Sequence, residues 1–179
     1  MNKIKEALAN RRLSTFAATT VTNTPNVTSL LISPEIRTHS VTKLSELLNL
    51  LFDLRNLTRI SHWNIKGMNF KAVHSMLDDI QSELDSYVDV IAEVIVAFGG
   101  NATISCNTTE LSNVDIISCC SDSNECLTKL ATLFSYVIKE VTDCSNDLDD
   151  NGDRVNANTL LELAATLIKF VYLIEKHLQ

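Results

Sequence analysis

Helix breakers are scarce: the 179 residues hold four glycines and two prolines, and both prolines, Pro25 and Pro34, fall in the first 34 positions. The rest is free to run as long uninterrupted helices, so an all-α fold is expected. No unbroken apolar run approaches the ~18 residues that could span a bilayer, and no membrane partner is expected. Nor does an apolar stretch follow the first basic residues as a secretory leader requires, which points to a cytoplasmic setting. The five cysteines, Cys106, Cys119, Cys120, Cys126 and Cys144, are odd in number. The Cys119-Cys120 pair fits no CxxC spacing, and small apolar fillers or free thiols account for the set without assigned chemistry. Basic charge is in deficit, 15 Lys and Arg against 22 Asp and Glu. That balance argues against a surface built for phosphate backbones and suits the attraction of cations. The start of the chain is the exception, where Lys3, Lys5, Arg11 and Arg12 face one acid, Glu6. A DNA contact there, with association to the nucleoid, stands beside the plainer reading of a solvated tail.

The chain length suits one domain. Residues 13–38 are rich in Ser, Thr and Asn without a sustained helical period, so residues 1–38 are read as a flexible N-terminal arm and 39–179 as the folded domain. Helical spacing of Val41, Leu44, Leu47, Leu48, Leu51, Leu54 and Ile60 predicts a first helix stopped near Gly67. Asn69 is expected to cap a second helix, whose stripe Val73, Leu77, Ile80, Leu84, Val88, Ile91, Ile95 and Phe98 runs to Gly99-Gly100. A polar connection over 101–122, with a possible short helix at Val114 to Cys120, is long enough to return a third helix parallel to the second. That third helix is expected from Ser123 to Asp147 and a fourth after a cap at Asn156 or Asn158. Four long helices with one long crossover between the second and third make a ferritin-like four-helix bundle.

His62 ends the first helix, and His74, Asp78, Asp89 and Glu93 share a face of the second. With His74 at zero and about 100° per residue, Asp78 falls near 40°, Asp89 near 60° and Glu93 near 100°, away from the apolar stripe near 275°. Along the helix, however, Asp78 and Asp89 are separated by roughly 16 Å, while bonds to a metal from N and O donors are about 2 Å. One chain cannot bring both to one ion. Two such helices packed antiparallel about a two-fold axis would set the His74/Asp78 end of one chain against the Asp89/Glu93 end of the other, twice by symmetry. Ser82 near 80° and Ala92 near 0° are small enough to permit that approach. Two imidazoles with three carboxylates suit Fe(II), with Zn, Mn and Co as competitors. A di-iron core inside one bundle needs Glu-x-x-His pairs, and no His here has a Glu three residues before it. The residues alone leave open that these are solvated carboxylates and satisfied histidines.

The segment His62-Trp63-Asn64-Ile65-Lys66-Gly67-Met68-Asn69-Phe70, followed by Val73-His74, Leu77-Asp78, Leu84-Asp85, Val88-Asp89, Ala92-Glu93 and Gly99-Gly100, resembles the Dps family of DNA-binding proteins from starved cells, or miniferritins. The resemblance covers about residues 39–179. It implies a hollow homododecamer with ferroxidase centres at its two-fold interfaces, where His62, His74 and Asp78 of one subunit and Asp89 and Glu93 of its partner hold iron, two sites per interface. Fe(II) and hydrogen peroxide, or O2, are the implied substrates, and a ferric mineral in the cavity the product. By the same resemblance Trp63 intercepts oxidising equivalents near the site, where a packed core indole is the alternative. The acidic run Asp147, Asp149, Asp150 and Asp153 imitates a calcium loop, but Asn158 stands where a bidentate Glu is needed, so calcium is rejected. The resemblance instead implies that some of these aspartates line iron-admitting pores, against a reading as plain surface charge.

Overall fold

The computed structural model describes residues 28–104 and 122–179. Lys3, Lys5, Arg11 and Arg12, Cys106, Cys119 and Cys120, and the short helix expected in the crossover lie outside the described residues. Four helices follow one another: α1 Pro34–Asn64, α2 Phe70–Ala97, α3 Ser123–Asp150 and α4 Arg154–His177, with no strand among the described residues.

α1 starts five residues ahead of the expected domain boundary at 39. Pro34 takes the first helical turn, where its missing N–H costs nothing, and Ser33 Oγ accepts the Ile36 amide at 3.3 Å. Capping chemistry thus extends a helix into a segment whose apolar period is weak. Hydrogen bonds also hold the Glu35 carboxyl below its ordinary range at this helix start. Asn69 occupies the N-cap position of α2, but its side chain makes no capping bond. α3 runs to Asp150, three residues past expectation, and α4 is capped by Asp153 rather than Asn156 or Asn158.

Cross-contacts fix the directions. His62 meets His74 and Arg55 meets Asp85, so α1 and α2 are antiparallel. His39 pairs with Asp147, and Ser123 Oγ donates to the Lys66 carbonyl, so α1 and α3 are antiparallel as well. α2 and α3 are therefore parallel, and the connection between them must travel back along the bundle, the single long crossover of the ferritin-like topology. Between α3 and α4 a tight turn suffices, closed by the Asp153 amide on Leu148 O at 2.8 Å.

The predicted stripes are the core. Leu44, Leu48, Leu51 and Leu54 of α1 and Leu77, Ile80, Leu84, Ile91 and Ile95 of α2 are buried. Phe134 of α3 is fully enclosed and meets Phe170 of α4 edge-on at 6.2 Å between ring centres. By length and composition alone α4 would qualify to cross a bilayer, with mean hydropathy 1.5. Its Leu160, Leu163, Leu167, Phe170 and Ile174 are instead buried in the bundle.

Candidate metal centre

His62 closes the last turn of α1 and His74 lies in the first turns of α2. The short connection between them turns at Gly67, whose φ of +115° lies where side chains are strained, and a Cβ there would come within 3.2 Å of Ser123 Oγ. This turn lets the two imidazoles stack, with ring centres 3.8 Å apart and planes 24° from parallel. Each ring donates from Nδ1 to the other residue's carbonyl oxygen, His62 to His74 O and His74 to His62 O, both at 3.1 Å. Backbone carbonyls cannot donate, so both Nδ1 atoms carry a proton, and in the neutral rings that a metal needs the Nε2 atoms hold the lone pairs. A paired imidazole site that offers two Nε2 donors is the arrangement a ligating histidine needs from its surroundings. Phe70 packs against His74 at 4.9 Å and restricts its ring from the other side. His62 is buried and His74 half-buried.

Asp78, Asp89 and Glu93 stand on the exposed face of α2. Within the chain the structure joins the two histidines but does not gather the five expected ligands. Among the described residues, no three His, Cys, Asp or Glu side chains come close enough together to hold a metal ion. Trp63, beside His62, is 67% exposed in the single chain, so it is not a packed core indole.

The α2 face is strongly acidic. Lys71 is the only lysine or arginine in α2, against six carboxylates. Asp85 differs from the rest: Arg55 Nε donates to its Oδ1, and Arg59 Nη2 lies 4.0 Å from its Oδ2. Sequence reasoning did not assign these arginines to the site. The available signal was their i, i+4 spacing on α1 together with Asp85 falling on the ligand face of α2, near 20° at about 100° per residue.

The acidic run at the α3–α4 turn divides by partner. Asp153 is buried and accepts from Ser40 Oγ at 2.6 Å, from the Asn156 side chain at 2.7 Å and from the Asn156 amide at 3.3 Å. These bonds make it a structural clamp between α1 and α4. Asp147 pairs with His39 Nε2 at 2.6 Å, whereas Asp149 and Asp150 are exposed. Nearby, burial pushes the Cys144 thiol up to about 12, with the Asp147 charge adding to the effect. Cys126 is buried.

The ferritin-like domain family matches residues 41–179. The chain is 32% identical over 142 residues to the DNA protection during starvation protein of Agrobacterium fabrum, which covers 76% of this chain and 85% of that protein. It is 25% identical over 120 residues to the protein of the same name from Brevibacillus brevis, covering 66% of this chain and 80% of that one. Among solved structures, Mycobacterium smegmatis Dps in its tetragonal form superposes with a TM-score of 0.77 at 26% identity, over 86% of this chain and 93% of that chain. An archaeal Dps homologue from Halobacterium salinarum shares the fold, with a TM-score of 0.77 at 20% identity over 94% of each chain.

Proposed function

Since this chain belongs to the ferritin-like Dps family of DNA protection during starvation proteins, we propose that it oxidises Fe(II) at sites shared between two copies of itself and stores the ferric product. The observation that carries this reading is the reciprocal histidine pair. Its hydrogen bonds spend both Nδ1 protons on backbone carbonyls and leave two Nε2 donors for a borderline cation such as Fe(II). Asp78, one helical turn after His74, adds a carboxylate from the same chain. Asp89 and Glu93 are too far along α2 to join it, roughly 16 Å from Asp78 to Asp89 at about 1.5 Å per residue. An antiparallel partner supplies them instead.

In this arrangement the imidazoles orient the metal and the carboxylates offset its charge. Two Fe(II) ions give up one electron each, and one hydrogen peroxide takes both with two protons to become two waters. Removing iron and peroxide together deprives the hydroxyl-radical reaction of both reactants, which is how DNA would be protected without contact. O2 is the slower alternative oxidant in this reading. Trp63, exposed beside His62 in the single chain, would be the residue oxidised by escaping equivalents. Assembly into a hollow dodecamer would give the ferric product a cavity, and exposed Asp149 and Asp150 would be candidates to line its entrances.

The test is anaerobic Fe(II) loading of the purified protein followed by a stoichiometric pulse of hydrogen peroxide, with ferric absorbance and peroxide loss recorded together. Rapid coupled oxidation in the wild type that Asp89→Asn removes supports the proposal. Oxidation no faster than in buffer refutes it. Direct DNA binding is the second reading, and it rests on the basic start of the chain, Lys3, Lys5, Arg11 and Arg12. A gel shift that weakens steeply with salt and disappears when those four residues are neutralised would establish it.

A further inference from the structure

Two α2 faces cannot meet without confronting their charges. If Asp78 lies opposite Asp89 of the partner subunit, the two-fold axis crosses α2 between Glu83 and Leu84. Asp85 then sits about 2 Å along the helix from the axis, and the two Asp85 residues about 4–5 Å apart along it, at about 1.5 Å per residue. Between the two ligand pairs the contacting face carries Ser82 and Asp85, since Asp79 and Glu83 point away at about 140° and 180°. Asp85 is therefore the charge that the pairing would trap at its centre.

The structure shows how that charge is met. Arg55 holds one carboxylate oxygen, and its guanidinium is itself braced over the Phe52 ring at 5.3 Å. Arg59 Nη2 stands 4.0 Å from the other oxygen, beyond hydrogen-bond length. A guanidinium has five N–H donors in a fixed fork, so Arg59 retains donors for a second carboxylate across the axis. Both arginines come from α1, which packs directly on α2, and neither is a ligand candidate.

We propose that Arg55, Asp85 and Arg59 form a charge latch on the two-fold axis, which allows two acidic α2 faces of this chain to close on each other and so completes the shared iron sites. The latch rests on the shared-site reading above. Its partner is a second copy of the chain, and Arg55 and Arg59 are positioning residues: they act on the iron site by holding the subunits in register. Held by the two arginines, Asp85 is also kept from joining Asp89, one turn away, as a further carboxylate ligand.

The test compares full-length wild type, Arg55→Gln/Arg59→Gln, Asp85→Asn and the triple variant. Sedimentation velocity over a concentration series, metal-free, at low and high salt, measures assembly, and circular dichroism verifies helix content. The double arginine variant should need at least about tenfold higher concentration to assemble at low salt, because like charges set against each other at an interface are strongly unfavourable. That deficit should shrink at high salt. Adding Asp85→Asn should restore assembly, which a merely structural role for the arginines would not do. Wild-type assembly by the folded double variant overturns the latch, as does a folded triple variant that stays as weak as the double. A double variant that does not fold leaves the decision to Asp85→Asn, which strands the arginines of both copies against each other: assembly that weakens at low salt and recovers at high salt supports the latch, and wild-type assembly at low salt overturns it. Failure of the shared-site reading is read separately, from a wild type that stays monomeric or from absent recovery when inactive His62 and Asp89 variants are mixed; either overturns both.

Discussion

Mixing two inactive proteins should restore activity if the iron site is built from two chains. His62→Ala removes one Nε2 donor, and Asp89→Asn removes the carboxylate that the partner supplies. A homomer of either variant has the same defect at every site. In a mixed dimer, one site receives both lesions, while the other pairs the intact His62 of the Asp89 variant with the intact Asp89 of the His62 variant. Random pairing makes about half of the dimers mixed, and one site in two of those is intact, so about a quarter of wild-type peroxide-coupled oxidation should return. The separation along α2 sets this expectation, since no bend of one helix brings groups roughly 16 Å apart onto one ion with bonds of about 2 Å. The assay is co-refolding at equal ratio, then the anaerobic Fe(II) and peroxide pulse, with co-assembly verified through differently tagged subunits. No recovery in verified mixed dimers would refute the inter-chain argument, and recovery near that fraction is difficult to obtain any other way.

Asp153→Ala should lower stability by about 2–4 kcal/mol, read from the urea midpoint, because it loses a helix cap and strands the buried Ser40 and Asn156 donors. Loss under about 0.5 kcal/mol would remove Asp153 from the role of clamp. Phe134→Ala should cost about 3–5 kcal/mol in the same assay, since the side chain is fully enclosed. The Cys144 thiol, raised from 9.0 to about 12, binds its proton more tightly in the folded state than in the unfolded one. Its contribution to stability is therefore present below about pH 9 and lost as pH climbs toward about 12. In native protein at pH 9 its alkylation by iodoacetamide should be far slower than in urea; equal rates would contradict the burial.

Much of the bundle was legible because period and punctuation are local properties. The α2 stripe named from spacing is buried apart from half-buried Val88, and Gly67 and Gly99 adopt positive φ at the two turns. The start of α1 was less legible: Ser33-Pro34-Glu35 is a capping signature, but the apolar period that follows it is thin until Val41. The cap of α4 was missed because Asn156 and Asp153 are both good caps, and the choice depends on Ser40 of another helix donating to Asp153. In the site, the spacing of His74, Asp78, Asp89 and Glu93 on one face was visible in the chain, as was the impossibility of closing it within one chain.

The sequence by itself determined the helices, their apolar faces and the acidic face of α2, since these follow from residue order and the 3.6-residue turn. Only the tertiary structure decided which groups meet across helices. It stacked His62 on His74 and fixed both tautomers through each other's carbonyls. It set Arg55 and Arg59 against Asp85, and it turned Asp153 from surface charge into a buried clamp. Such pairings depend on the relative rotation and register of packed helices, which the bundle core sets as a whole and no local stretch of sequence encodes.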